Sequence, residues 1–542
     1  MTTLSFALPP GTATFLSASV EAGADATGED MSRLDAAVSA AAVRHGGVEN
    51  PNQAEAGSFL AALARAPEAI ACALEVQREV GAPELLALWA DTVRVHALLH
   101  DPDGAWLLAS TDVAEGRYPA LSPQRPSAAW FERMIRDLWG HDAEGGRDGR
   151  PWLEHGRWPV TAPLSTRPPA RQSPSEPAEF LPVEGGDPHQ IALGPVYAGI
   201  IEPGHFRLSA LGETVVRLEI RLGWLHKGTL GLMHGKSPRA AARFAARLSG
   251  DSTVAHSLAF ARAAEAATNT EVPPRAAALR AMMAELERVA NHLGDCGAIA
   301  DDVAFSFLSA RFCWHREAML RAAAVAFGHR LMMDAVVPGG VSADIAPGGA
   351  EAILRALVAL DEELPELGRA GDNSSSLADR MVGTGVVPPV LVSAFAAGGF
   401  VGRASGRSFD ARRTPGYAPY DRLTFEVPVL TTGDVDARVR VRLAELGESI
   451  FLVRALLADL PEGGVAVPLP SATGEGIGWA EGFRGDIWHW LRLDGGQISA
   501  VFMRDPSWLQ WPLLEAAVAG NAVADFPLCN KSFNCSYSGV DL

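Results

Sequence analysis

A chain of 542 residues with 48% hydrophobic and 20% charged residues has enough apolar material for large buried cores and roughly two to four domains. Its net charge of −18 excludes the broad basic footprint that displaces counterions from nucleic acid, and no apolar run reaches the roughly 20 residues that span a bilayer. The five cysteines (Cys72, Cys296, Cys313, Cys529 and Cys535) are scattered and form no CxxC pair, so they imply neither a disulfide framework nor a thiolate-built metal site. A reducing compartment follows from that usage. With no basic residue before Arg33 and no apolar core followed by a cleavage site, a signal peptide is not expected. One local basic cluster, Arg403, Arg407, Arg412 and Arg413, is expected to anchor an acidic partner surface.

In chain order, residues 1–30 are rich in Ala, Gly and Thr and are expected to be loose, and 31–160 reads as a small α+β domain. Helices are expected from Met31 to Arg44 and from Asn52 to Arg65, and a strand from Thr92 to Leu99, where Val93, Val95 and Ala97 alternate with other side chains. An amphipathic helix runs from Trp130 to a stop at Gly140. Residues 161–190, dense in Pro and Ser, cannot support a packed element and mark a linker before a second domain over 191–542. There, Val216, Leu218, Ile220 and Leu222 alternate with Arg217, Glu219 and Arg221, the pattern of a half-buried strand. Pro274 opens a helix with Leu279, Met283, Leu286, Ala290 and Leu293 on one face, and Gly294 is expected to end it. Further helices are expected from about Phe305 to Phe327 and from Asp436 to Leu460. Strands at Ile487 to Leu493 and Ile498 to Phe502 flank an Asp494-Gly495-Gly496 turn.

Several strings in the second domain occur together and in order: GPVYAG (194–199), EPGHFRL (202–208), HKG (226–228), VPPRAAALRAMMAELERVANHLGDCG (272–297), HREAML (315–320), ASGRSFDARR (404–413), GDVDARVRVRLAE (433–445) and EGFRGDIWHW (481–490). In this the chain resembles the large subunit shared by respiratory complex I (NADH–quinone oxidoreductase), formate hydrogenlyase, hydrogenase-4 and related membrane-bound NiFe hydrogenases. The N-terminal domain is similar to a small complex I partner subunit, on WFERMIRDLWGHD (130–142) and WLEHGRWP (152–159). The resemblance implies a mostly helical large domain with small peripheral β-sheets behind a small α+β domain.

It does not carry the chemistry over. A catalytic NiFe large subunit grips its metals with two CxxC pairs, because soft anionic thiolates bridge nickel and iron. Ungapped placement puts those four positions on Ser249, Ser252, Ser536 and Gly539. Cys535 is one residue out of register, and Cys529 and Cys535 have the wrong spacing for a chelate, so both read as small buried hydrophobes. The proton-relay glutamate of the hydrogenases falls on Leu230, and the quinone-binding tyrosine of complex I on Gly250. Tyr197 stands where a histidine follows Gly-Pro, with His205 close by as its substitute. Tyr197, His205, His226, Ser249, Gly250, Ser252, Ser536 and Gly539 are therefore the expected lining of a degenerate NiFe or quinone cavity. Arg484 is a candidate to face a partner's iron–sulfur cluster, or a structural turn.

No catalytic residue is assigned. Asp251 and His256 are candidates for a charge-relay pair that moves protons; the alternative is a helix capped by Ser249 or Asp251, with His256 hydrogen-bonded in the core. His226 and Lys227 are expected in a solvated turn or subunit contact, and Arg316 with Glu317 as a buried ion pair. The resemblance implies a component of an oxidoreductase complex that docks on an iron–sulfur small subunit holding a 4Fe–4S cluster, with antiporter-like membrane subunits beyond it. It would sit peripherally on the cytoplasmic face of the membrane and bind no metal itself, with quinone as one acceptor. The alternatives are a non-redox structural adaptor in an ion-translocating complex and an active NiFe hydrogenase with unusual ligands.

Overall fold

The computed structural model describes residues 83–100, 106–166, 179–183, 188–197 and 201–542, with the backbone of 15–20. The helices expected from Met31 to Arg44 and from Asn52 to Arg65 lie outside the described residues. Leu-rich segments β2 (Glu84–Ala90), β3 (Arg94–His100) and β4 (Trp106–Asp112) form an antiparallel meander, with β1 (Phe15–Val20) added in parallel along β4. The strand expected from Thr92 is β3; it begins at Arg94 because the Asp91 carboxylate accepts the Val93 and Arg94 amides and closes a turn. The amphipathic helix is α1 (Ala128–Trp139), ended by Gly140 at φ 74°. The short strands β5 (Arg117–Pro119) and β6 (Asp142–Glu144) pair beside it.

A second antiparallel sheet, β7 (His189–Leu193), β8 (His205–Leu211) and β9 (Thr214–Arg221), contains the alternating strand read from sequence. Beyond it come the long helices α2 (Thr253–Thr268), α3 (Pro274–Asp302), α4 (Ser306–Phe327), α5 (Gly349–Asp372) and α6 (Val435–Ala458). The short hairpin β10 (Val336–Val337) and β11 (Gly340–Val341) lies among them, and the sheet β12 (Gly474–Gly482), β13 (Gly485–Asp494) and β14 (Gln497–Arg504) follows. This is the α+β architecture expected: a helical centre flanked by small antiparallel sheets.

Gly294 does not end α3, which runs on to Asp302. A Cβ at Gly294 would lie 2.9 Å from Arg316 Nε, so this glycine admits a side chain of α4 rather than stopping the helix. Small residues do similar work between α2 and β12. A Cβ on Gly476 or Gly478 would come within 2.1 or 2.3 Å of the carbonyls of Ala263 and Ala259, so strand backbone rests directly on an alanine-lined helix.

The meander and the β12–β14 sheet bury aromatic surface together. Trp89 stacks on Phe502 at 5.4 Å, Trp106 lies 5.0 Å from Trp488, and Arg504 Nε donates to the Leu86 carbonyl at 2.9 Å. The expected basic surface cluster dissolves here. Arg403 and Arg412 are buried, paired with Glu445, Glu481, Asp410 and Glu285, and Arg407 bonds Glu84 at 2.6 Å. Buried guanidinium groups must be paired, and Asp410 of the same segment joins acids from four other segments as partners, while Arg413 stays exposed. The ion pair expected between Arg316 and Glu317 is not formed; Glu317 instead bonds Arg321 and Arg330 at exposed positions.

Candidate functional site

Two further helices, α7 (Ser507–Val518) and α8 (Phe526–Phe533), bring the chain back to the core, where Asn534 at φ 46° turns it inward. This carries Ser536 onto Ser249, 287 positions away in sequence, with their hydroxyl oxygens 2.8 Å apart. Ser249 Oγ donates to Asp251 Oδ1 at 2.9 Å, so the shared proton comes from Ser536, whose oxygen in turn accepts from Gly539 N at 3.0 Å. Ser252, also buried, accepts from Arg484 at 3.1 Å. The four positions picked out by sequence lie together in one hydrogen-bonded network.

Arg484 sits in the tight β12–β13 turn and is 3% exposed. It reaches Asp251 Oδ1 at 2.7 Å and Oδ2 at 2.5 Å and also donates to the Asn534 carbonyl. Burial disfavours both charges; the pairing outweighs it, holding the Asp251 carboxyl below its ordinary range and Arg484 protonated. The guanidinium is turned inward onto Asp251.

The candidate charge relay between Asp251 and His256 is not formed, and His256 is hydrogen-bonded in the core as the alternative had it. His256 Nε2 bonds Asp505 Oδ2 at 3.0 Å and its Nδ1 lies 3.0 Å from His489 Nε2, all fully buried. Burial, and His256 beside it, keep His489 well below the usual imidazole range, so it is neutral. Asp505 also accepts from Ser507 N, and Ser507 Oγ accepts from Ser536 N, which ties the histidine pair to the serine chain. Neither Ser249 nor Asp251 caps α2. Glu287 of α3 takes the Val254 and Ala255 amides at 2.7 and 3.0 Å, and burial pushes its carboxyl up to about 8.

The remaining expected lining disperses. Tyr197 Oη donates to Gly204 O at 3.0 Å, and His205 Nδ1 lies 3.3 Å from Gly194 O with its ring against Phe180, so neither headgroup donor faces the serine chain. Gly250 is exposed, with open space where a side chain would project. His226 is not in a solvated turn: Nδ1 bonds Asp541 O at 2.7 Å and the ring stacks on Trp158, while Lys227 Nζ bonds the Arg247 and Leu248 carbonyls. Leu230 is buried and aliphatic. Burial pushes both Cys529, to about 11, and Cys535 away from the thiolate form.

A nickel–iron centre does not fit these residues. The convergent groups are three hydroxyls and a glycine, and a buried cation, Arg484, reaches into the same cluster. A Cβ at Gly539 would stand 2.6 Å from Asp505 Cγ, so no side chain at the fourth position fits without a shift. Among the described residues no group of three or more His, Cys, Asp or Glu side chains is arranged to hold a metal ion. A quinone headgroup likewise meets no free pair of donors from Tyr197 and His205. Asp505, His489 and Glu287 were not singled out from sequence. The signal for His489 was a polar residue inside the apolar run of β13; Asp505 and Glu287 gave none.

A helical core whose distant segments meet beneath an arginine-bearing hairpin defines a scaffold of the hydrogenase large-subunit type. The profile of the respiratory-chain NADH dehydrogenase 49 kDa subunit matches residues 302–472, and that of nickel-dependent hydrogenase matches 227–294. The carbon monoxide-induced hydrogenase of Rhodospirillum rubrum is 31% identical over 64% of this chain and 97% of its own length. Formate hydrogenlyase subunit 5 of Escherichia coli is 28% identical over 80% of this chain and 79% of its own, and an NADH-quinone oxidoreductase subunit from Herpetosiphon aurantiacus is 30% identical over 65% and 98%. A solved structure of the membrane-bound sulfane sulfur reductase, an archaeal respiratory membrane complex, shares the fold with a TM-score of 0.62, at 24% identity over 66% of this chain and 99% of that one. The chain belongs to the family that unites the 49 kDa subunit of respiratory NADH dehydrogenase with the large subunits of membrane-bound nickel-dependent hydrogenases. Among the described residues no helix is long and apolar enough to cross a membrane.

Proposed function

We propose that this chain is the large subunit of a membrane-associated oxidoreductase complex in which the metal-gripping cysteines have been lost. It docks on an iron–sulfur small subunit that carries a 4Fe–4S cluster and couples through it to antiporter-like, ion-translocating membrane subunits, on the cytoplasmic face. It holds no metal of its own. The observation that supports this reading is that Ser249 and Ser536 meet at 2.8 Å as hydroxyls bonded to each other, with Ser252 and Gly539 beside them and no thiolate among the four. Purification of the intact membrane complex, with metals and subunits measured together, tests it. Iron with a co-purifying iron–sulfur subunit and substoichiometric nickel is expected. One nickel per copy of this chain, or a stable monomer that never co-purifies with an iron–sulfur protein, would sink the proposal.

A second reading, a non-redox adaptor, draws on the size of the opening beside Asp251 and Glu287. That cavity is about 20 Å³, room for a single water. It predicts that the complex assembles and translocates ions while the partner lacks an electron paramagnetic resonance signal from a reduced cluster. A reducible cluster in the partner eliminates it.

A further inference from the structure

Away from the serine chain, a cavity of about 280 Å³ lies where α1, the loop after β6, β9 and α7 meet. Its charges do not cancel. Arg133 spends its donors on Asp148 and the Arg150 and Pro151 carbonyls, and Arg150 spends its own on Asp148 and Glu219. Arg147 and Arg221 also line the cavity and have no ion pair among the described residues; the Arg221 guanidinium lies over the Phe180 ring at 3.5 Å, and one of its nitrogens is buried with no hydrogen bond.

Two buried neutral donors on the same wall are unused as well. Ser127 stands at the N-cap of α1 but makes no cap bond, and its hydroxyl has no partner; Trp152 Nε1 is likewise unpartnered. Burying a donor without a partner costs about 1–3 kcal/mol, so their clustering in one cavity points to an acceptor that belongs there. Trp130, Phe395, Ile220 and Leu222 add apolar surface to the wall, beside Ser122 and His155. Glu515 also lines the cavity, and burial pushes it up to about 8, so its carboxyl is largely neutral at pH 7 and does not cancel the arginines.

We propose that this cavity binds a small organic anion, its oxyanion head held by Arg147, Arg221 and the Ser127 hydroxyl and its apolar body seated against Trp130, Trp152 and Phe395. Calorimetric titration of the full chain at low salt with phenyl phosphate, benzoate and neutral benzyl alcohol tests it. Saturable, salt-weakened binding of at least one anion is expected, with the tighter of the two telling a phosphate head from a carboxylate. The double variant Arg147→Gln/Arg221→Gln should weaken it at least tenfold, and Arg147→Glu, a charge reversal at an exposed side chain, should do so with the melting temperature unchanged. The proposal is overturned if neither anion binds, if benzyl alcohol binds as tightly as the anions, or if binding survives Arg147→Glu undiminished.

Discussion

Asp251 and Arg484 share two hydrogen bonds but are unequally buried: 39% of the Asp251 side chain is exposed and 3% of that of Arg484. The two halves of the pair should therefore fail differently. Asp251→Ala strands a buried guanidinium and should cost about 3 kcal/mol or more, the range for an uncompensated buried charge. Arg484→Met leaves a carboxylate that water reaches, and should cost less. Chemical denaturation of both variants checks the order; an Arg484→Met that is the more damaging would contradict it.

Gly539 faces Asp505 at a distance no Cβ tolerates. Gly539→Ala should destabilise the protein by about 1–3 kcal/mol through overpacking. For the same reason, restoring cysteine at Ser249, Ser252, Ser536 and Gly539 together should not restore stoichiometric nickel. Elemental analysis of that quadruple variant from cells that load a native hydrogenase is the measurement, and one nickel per chain would refute the expectation.

Gly478 lets β12 lie on α2, and a methyl group there would meet the Ala259 carbonyl at 2.3 Å. Gly478→Ala should cost about 3 kcal/mol, at the upper end of overpacking. Gly212→Ala, in an open turn at φ 59°, should cost only about 1 kcal/mol from its backbone conformation. Thermal melts of the two variants side by side distinguish packing from strain.

Burial raises Glu515 from 4.5 to about 8, opposed by the Ile220 amide that donates to it at 2.8 Å. The folded state thus holds a proton that the unfolded chain releases, and the stability linked to that proton is fully present below about pH 4.5 and lost as pH rises through 8. Glu515→Gln keeps the acceptor for Ile220 and cannot titrate, so it should lack this decline, which is at most about 1.4 kcal/mol per pH unit. Denaturation of wild type and variant at pH 5 and 8 should show the difference shrinking in the variant; parallel losses would show Glu515 to be ordinary.

The elements with strong local signals were legible. α1, β3, β9, α4, α6 and the β13–β14 hairpin lie within a few residues of where periodicity and turn residues put them, because their ends carry local signals such as Gly140 after α1 and Gly495-Gly496 between β13 and β14. Gly294 misled because a glycine within a helix carries two meanings, stop and close approach, and only the position of Arg316 chooses between them. The arginines near 403–413 misled for a related reason: apart from Asp410, their carboxylate partners are brought in by other segments.

The sequence by itself determined what kind of atoms stand at the four critical positions. Ser249, Ser252, Ser536 and Gly539 carry no sulfur, and no folding can supply a thiolate where the chain encodes none. Only the tertiary structure decided what those residues do instead, which carboxylate His256 finds, and where Arg484 points. Those outcomes depend on side chains more than two hundred positions apart reaching hydrogen-bonding distance, and local periodicity carries no record of such meetings.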